Sequence, residues 1–550
     1  MTEDLANDIR TALRAEGYAV EDGDEIRLSV QLEDGGQVEL LLVPPSGFPY
    51  ELPEFKLTGE SLATYGELPH VGPTGLVCAF DRETNRPNPE NAAGQVLEVL
   101  ERTKEILSAG IRGENEEDYL DEFLAYWSYG QDCMLPLYSL ADSLSDEPKT
   151  LTVYAPEDDE RRLFICDSDK EALMIAEKQN GSTESPCLLK CVYLPLRGLL
   201  RYPFPRTHGE WFEAIKADGA NMGFYQRFLQ KSDREKTVVV VSCAYQDGRR
   251  VFAAFGHSAL PTVKGFRGGR VPLEVAMTKI GKTEVVRYDF VDTSHARLYR
   301  RGGNGRTVDM KACVIGCGSL GGYLVESLKS CGISDFTLVD REYLSVDNIA
   351  RHLCGFGEVG KLKAEAVRSR VIADDPNIKC VAITRDANVV LDNSPVDLKS
   401  DYVFVTVGSY PLETHVTKAM LNGTLDSAVV LMWLEPHALA AHALVLNHPQ
   451  DVQQKMFDEM GLFNDSVVAN GAELFKREAG CQSTFVQYSG LDVRAFTIDF
   501  VRNLAMGRLS DHNYHFAWYG ALSLAGEYGA AIAKGYESRN DYTSEIQRVD

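Results

Sequence analysis

Leu5, Ile9 and Leu13 recur at helical spacing, and the segments EIRLSVQL and QVELLLVPP that follow alternate apolar and polar positions like strands of an antiparallel meander. A proline-rich bend, PPSGFPYELPEFKL, leads to another short strand, then an irregular Gly/Pro-rich loop, then a helix predicted from about Ala92 to Leu107. ENEEDYLDEFLAYWSYG sets Tyr119, Phe123 and Tyr126 on one helical face and breaks at Gly130, a pattern that predicts core packing. Between 131 and 300, strand-like runs (KTLTVYA, RRLFIC, CLLKCVYLPL, KTVVVVSC, RRVFAAF, TEVVRYDFV) interleave with helical ones such as SDKEALMIAEKQ. That stretch reads as a separate α/β domain for spacing or docking. His208 and His257 stand isolated in it, and FRGGRVP reads as a turn.

From 311 the pattern sharpens. KACVIGCGSLGGYLVESLKSCGISDFTLVD is an apolar run, three glycines (Gly316, Gly318, Gly321), an amphipathic run and a second apolar run ending at Asp340. Strand, glycine turn, helix and strand in that order place unpaired helix N–H groups where a phosphate can sit, and Asp340 where it can grip ribose hydroxyls. The next segment, REYLSVDNIARHLCGFGEVGKLKAEAV, supplies Asp347, Asn348, Arg351, Gly360 and Lys363 in quick succession. Arg351 and Lys363 carry the charge needed to offset a triphosphate and the transition state at its α-phosphorus.

G-x-G-x-x-G, then Asp, then Asn-x-x-Arg, then Gly-x-x-Lys is the pattern of the ThiF/MoeB and ubiquitin-activating-enzyme family, which residues 300 to 550 resemble. The resemblance implies a Rossmann-like adenylation domain using ATP and Mg²⁺, with Asp340 as ribose ligand, Asn348 and Arg351 as phosphate contacts, and Lys363 steadying the leaving pyrophosphate. Where the family carries a Mg²⁺-binding Asp, DYVFVTVGSY offers Gly408 and Ser409. Asp401 or Glu413 could replace it, or Mg²⁺ could be held mainly by triphosphate and water. The resemblance further implies a homodimer in which Arg300 or Arg301 reaches the partner's ATP, and a nucleophilic Cys481 in the loop before a helix starting near Asp492.

Residues 1 to 130 resemble a ubiquitin-conjugating domain: a helix, a meander, a Phe-Pro turn, then Pro-His and a Cys eight residues on. The resemblance implies that Cys78 carries the thioester. His70-Val71-Gly72 stands where conjugating domains have His-Pro-Asn, so the oxyanion-stabilising Asn is missing and His70 is the first candidate for its role.

Composition narrows the partners. At 550 residues with a formal net charge of −25, the chain holds several domains and lacks the cationic surface needed to bind nucleic acid or an anionic membrane without regard to sequence. No run approaches the ~18 apolar residues of a membrane span, and the acidic N-terminal segment is unlike a signal peptide, so a cytoplasmic protein is expected. Twelve cysteines without a C-x-x-C fit reduced thiols. Cys187, Cys191, Cys313, Cys317, Cys331 and Cys354 read as packing positions.

The expectation is a multidomain α/β chain: an α+β ubiquitin-conjugating-like domain (1–130), an α/β linker domain (131–300) and a Rossmann-like ThiF-type adenylation domain (301–550). It is similar to the fused ubiquitin-transfer-like enzymes of anti-phage CBASS operons. That similarity implies adenylation of a partner's C-terminal carboxylate, with a cGAS-like nucleotidyltransferase as the partner, then a relay from Cys481 to Cys78 and on to an acceptor amine of a protein. A sulfur-carrier adenylyltransferase and a non-catalytic docking scaffold are the competing classes.

Overall fold

The computed structural model describes residues 2–549 except 22, 34, 82–84, 132, 142–143, 145, 157–161, 181–186, 233–234, 245–249, 268, 303–307, 376 and 478–483; the side chains of 174, 177–180 and 296 are also left undescribed. Two compact units divide the chain, Met1–Asp292 and Thr293–Asp550.

The first unit begins with the predicted helix, Glu3–Ala15, whose first turn is capped by the Thr2 hydroxyl accepting from the Leu5 amide and which buries Ala6, Ile9 and Leu13. Five antiparallel strands follow in sequence order, and their inward residues (Leu28, Val30, Val38, Leu40, Phe55, Leu57) meet that face. The helix predicted to end at Leu107 runs from Ala92 to Arg112. Nothing breaks it before Gly113, whose φ of 70° closes the last turn, and Gly110 lies against Leu68, where a side chain would crowd.

Further along the same unit, seven strands close a barrel. Round it run Thr237–Ala244, Arg250–His257, Val286–Asp292, Leu135–Ser139, Leu163–Cys166, Lys149–Ala155 and Cys187–Leu196. Alternate residues fill its interior, among them Leu137, Val153, Ile165, Tyr193 and Val240. Their outward neighbours, such as Val192, Leu194, Val239 and Val241, pack under the helices His208–Asp218 and Met222–Lys231. The aromatic stripe joins this outer layer as two short helices, Asp118–Asp121 and Phe123–Trp127. Cys191 is buried as expected, but Cys187 is exposed, because it opens its strand beyond the packed part of the barrel.

The second unit is built on an eight-stranded sheet. Lys379–Ile383, Asp335–Val339, Lys311–Ile315, Tyr402–Val405 and Ala428–Leu434 run parallel in that spatial order; Ala440–Leu446, Tyr514–Tyr519 and Thr543–Arg548 continue it antiparallel. The parallel strands are continuous apolar runs because helices cover both faces. One face buries Ala312, Val314 and Phe336 under Ser319–Ser330 and Gly490–Ala505, and the other buries Cys313, Ile315 and Val403 under Tyr410–Leu421. Lys311–Ile315 is the strand where the order reverses, so the crevice beyond its carboxyl end is the place for a ligand. Among the described residues no helix is long and apolar enough to cross a membrane.

Candidate functional site

The glycine loop lies at that crevice, and its three glycines differ in what they permit. Gly316 has a φ of 97°, and an added Cβ would lie 2.8 Å from Val407 and 2.9 Å from Thr406 Oγ1; one on Gly321 would lie 1.8 Å from the Gly316 carbonyl oxygen. Both are closed to side chains. Gly318, capping the helix Ser319–Ser330, has nothing within 4 Å of that position, so open space faces the helix N-terminus.

Asp340 holds this loop from the next strand. Its Oδ2 accepts from the Cys317 amide at 2.7 Å and its Oδ1 from the Glu342 amide at 2.8 Å. His352 holds it from the other side, donating from Nε2 to the Cys317 carbonyl at 2.7 Å while Nδ1 accepts from the Cys354 amide at 3.0 Å. That pairing requires the neutral imidazole, and burial pushes its pKa down accordingly. His352 was not apparent from sequence: only its contacts give it a role.

Asn348 and Arg351 lie on the 3₁₀ turn Val346–Arg351. The Asn348 side-chain oxygen accepts from the Ser345 amide and hydroxyl, at 3.1 and 3.2 Å. The Arg351 carbonyl accepts from the Ser319 hydroxyl, which fixes its backbone at the N-terminus of the glycine-loop helix. Its guanidinium points away, donating to the Val486 carbonyl at 3.1 Å and lying 4.7 Å from the Tyr488 ring centroid. Lys363, buried, pairs with Glu342 at 2.6 Å, and that partner holds the Glu342 carboxyl below its ordinary range.

Of the two acids considered for a metal, Asp401 is excluded by position. It precedes Tyr402–Val405 and accepts from the Lys311 amide at 2.7 Å, at the opposite end of parallel strands that run roughly 3.3 Å per residue towards the glycine loop. Glu413 follows that strand on the loop side, in the first turn of Tyr410–Leu421, and is buried; desolvation pushes its carboxyl up to about 7. Gly408 has a φ of 66° with open space around its Cβ position.

Beside Arg351 opens a cavity of about 710 Å³, walled by Arg351, Tyr488, Phe485, His437 and Tyr528, with Asp347 and Asp492 also lining it. His437 and Tyr528 stack with centroids 4.5 Å apart and planes within 4°. His437 and Ala438 both have positive φ, 57° and 51°, in a turn gripped by buried Glu435, which accepts from the Val467 and Val468 amides (2.8 and 2.7 Å) and pairs with His442 at 2.8 Å. Cys481 lies outside the described residues. Phe485, Gln487, Tyr488 and Ser489, further along the chain, line the cavity, and the helix expected near Asp492 begins at Gly490.

In the first unit, Cys78 is exposed just after the strand Leu76–Val77, and its amide donates to the His70 carbonyl at 2.8 Å. His70 itself is not the open donor expected. Its ring nitrogens face Glu122 (2.8 Å) and Asp118 (2.9 Å), a geometry that favours the imidazolium and pushes its pKa up, with Glu122 the main cause. The His70 amide donates to the Tyr126 hydroxyl at 2.6 Å, and the Tyr129 and Tyr119 hydroxyls donate to the carbonyls of Val71 and Glu67. The aromatic stripe therefore packs and clamps the cysteine loop at once. His208 and His257, far apart in sequence, meet with ring centroids 4.6 Å apart and planes tilted by 54° in the outer layer of the barrel; burial pushes His257 down to about 4.

Residues 5–136 match the Prokaryotic E2 family B and residues 294–423 match the ThiF family, so an E2-like segment and a ThiF-type segment lie in one chain. Over 372 residues it is 25% identical to the ATP-dependent ubiquitin transferase-like protein Cap2 of Pseudomonas aeruginosa (65% of each chain), and over 343 residues 23% identical to Cap2 of Escherichia coli (54% of this chain, 55% of that one). A 108-residue stretch, 20% of the chain, is 35% identical to the tRNA threonylcarbamoyladenosine dehydratase of Haemophilus influenzae, of which it spans 39%. The chain thus spans between 39% and 65% of the length of these curated relatives. Among solved structures, E. coli MccB with succinimide aligns over 44% of this chain and 63% of its own, at 15% identity and a TM-score of 0.30.

Proposed function

We propose that this chain activates the C-terminal carboxylate of a protein with ATP and transfers the acyl group, through two cysteine thioesters, to an amine. The observation that carries this reading is Arg351: its backbone is fixed at the N-terminus of the glycine-loop helix and its side chain borders the cavity, so one residue spans a phosphate site and a space for a polypeptide tail. In the first step a carboxylate oxygen attacks the α-phosphorus of ATP and pyrophosphate leaves. What supports the nucleotide is the open space over Gly318 for phosphates; Asp340 would take the ribose, Asn348 and, on turning from Val486 and Tyr488, Arg351 the phosphate oxygens, and Lys363, released from Glu342, the departing pyrophosphate. Mg²⁺ would neutralise phosphate charge, held chiefly by triphosphate and water, because Glu413, the acid on the nucleotide side, is buried with its carboxyl pushed up to about 7.

The Cys481 sulfur then attacks the acyl carbon, AMP leaves, and the thiol proton is lost. Cys78 takes the acyl group by thioester exchange, and an amine, as from Lys, closes the amide and frees the thiol. The imidazolium of His70 acts here by fixing the loop that presents Cys78. A cGAS-like nucleotidyltransferase is the proposed carboxylate donor, in anti-phage defence in the cytoplasm. In a homodimer Arg300 or Arg301, exposed on the helix His295–Gly302, would approach the partner's ATP. With ATP and the donor, Cys78→Ala should accumulate a reductant-sensitive thioester on Cys481, and Cys481→Ala should charge neither cysteine. A Cys78→Ala protein that still forms the amide at the normal rate would refute the relay.

A further inference from the structure

The cavity beside Arg351 has a composition that a passive channel for a peptide would not need. Two carboxylates, Asp347 and Asp492, share it with the rings of Tyr488, His437 and Tyr528. Among the described residues neither carboxylate has a cationic partner. Arg351, the cation in the lining, is directed at the Val486 carbonyl and the Tyr488 face. Asp492 is partly desolvated on the first turn of its helix, and burial raises its carboxyl pKa, so it gains by meeting a positive charge. His437 is fixed against Tyr528 by a turn with two successive positive-φ residues, a strained arrangement of the kind found where a ligand is gripped. Aromatic faces and carboxylates together are the two features that attract an ammonium or guanidinium group. Space is ample: about 710 Å³ lies within the range of pockets that hold small ligands.

We infer that this cavity selects donor tails carrying a basic side chain, Arg or Lys, within the last few residues before the reacting carboxylate, which Asp347 and Asp492 receive between the aromatic walls. The inference rests on the activation chemistry proposed above and names its substrate class. In this arrangement the two acids face the basic side chain, and a tail with an acid in its place is disfavoured there.

The test uses the full chain, a non-hydrolysable ATP analogue and fluorescein-labelled decapeptides with free C-termini that differ only in whether Arg, Ala, Phe or Glu stands at the last five non-terminal positions in turn. The Arg peptide at its best position should bind at least about tenfold tighter than the Glu peptide, a difference of about 1.4 kcal/mol. Asp347→Lys should reverse the order and favour Glu, a gain that misfolding cannot imitate, and Asp492→Asn should narrow the gap. Equal affinities, a Phe preference, no measurable binding by any peptide, or an Arg preference unmoved by Asp347→Lys would each overturn the inference. Failure of the activation chemistry reads differently: an Arg preference that reverses in Asp347→Lys, with no pyrophosphate exchange in the unmutated chain, leaves the basic-tail site standing and removes the adenylation.

Discussion

The His70 imidazole meets the Glu122 carboxylate at 2.8 Å across 52 residues of sequence, joining the loop before Cys78 to the helix that packs on the barrel. With Asp118 on the other ring nitrogen, the pair holds a proton that a free imidazole would release near pH 6.5.

His70 therefore gives the first unit a pH-dependent contribution of known sign. Its folded pKa is raised above 6.5, so its contribution is fully present below that pH and is lost as pH rises through the folded value. Hydrogen exchange of the amides of residues 67–78 should quicken over that window. In Glu122→Gln, which keeps the size and removes the main cause of the shift, the dependence should flatten and move towards pH 6.5.

The second unit should respond in the opposite sense. Burial pushes His515 down to about 3 beside His442, which itself pairs with Glu435. A histidine kept neutral in the fold loses stabilisation as pH falls below 6.5 towards the folded value. Glu435→Ala would strand the Val467 and Val468 amides, at a cost on the order of 3 kcal/mol. Exchange in residues 467–468 and 514–519 should quicken on acidification, and in the variant at all pH values.

Arg351→Ala should lower pyrophosphate exchange about 100-fold, the scale for removing a preorganised charge from a phosphoryl-transfer site. Arg351→Lys should recover little, because an ammonium cannot reproduce the planar contact 4.7 Å above Tyr488 together with the bond to Val486. Steady-state kinetics of the two variants check this.

Two of the three loop glycines should separate folding from binding. Gly321→Ala places a methyl 1.8 Å from a backbone oxygen and should destabilise by about 1–3 kcal/mol, read as a lower melting temperature. Gly318→Ala meets nothing in the protein, so its melting temperature should stay near wild type while ATP affinity falls as the methyl occupies the phosphate's approach.

Local pattern made the strand, glycine turn and helix around Gly316 legible, because periodicity and sterics there act within thirty residues. The E2-like meander was legible for the same reason. The closed barrel was not, since its closure joins Val286–Asp292 to Leu135–Ser139, strands some 150 residues apart whose pairing leaves no local mark. The clamp on His70 was equally hidden: Tyr119, Phe123 and Tyr126 announce an apolar face, but nothing in their spacing says that their helices would also deliver Asp118 and Glu122 to a histidine. Asp401 misled because distance along the chain does not reveal which end of a parallel strand an acid occupies.

Trp127, at the end of the clamping segment, donates from its indole to the Tyr288 carbonyl, while its own carbonyl accepts from Arg287 of the same barrel strand. Tyr119 stacks on Tyr202 with planes 3° apart. The twelve residues from 118 to 129 thus grip the cysteine loop with one set of atoms and the barrel with another. Among the described residues a thiol mounted this way has no hinge of its own: in the proposed relay, any swing carrying Cys78 to an acyl donor and then to an acceptor would take the barrel along as ballast, and hand-over would keep the pace of a whole unit and not of a loop.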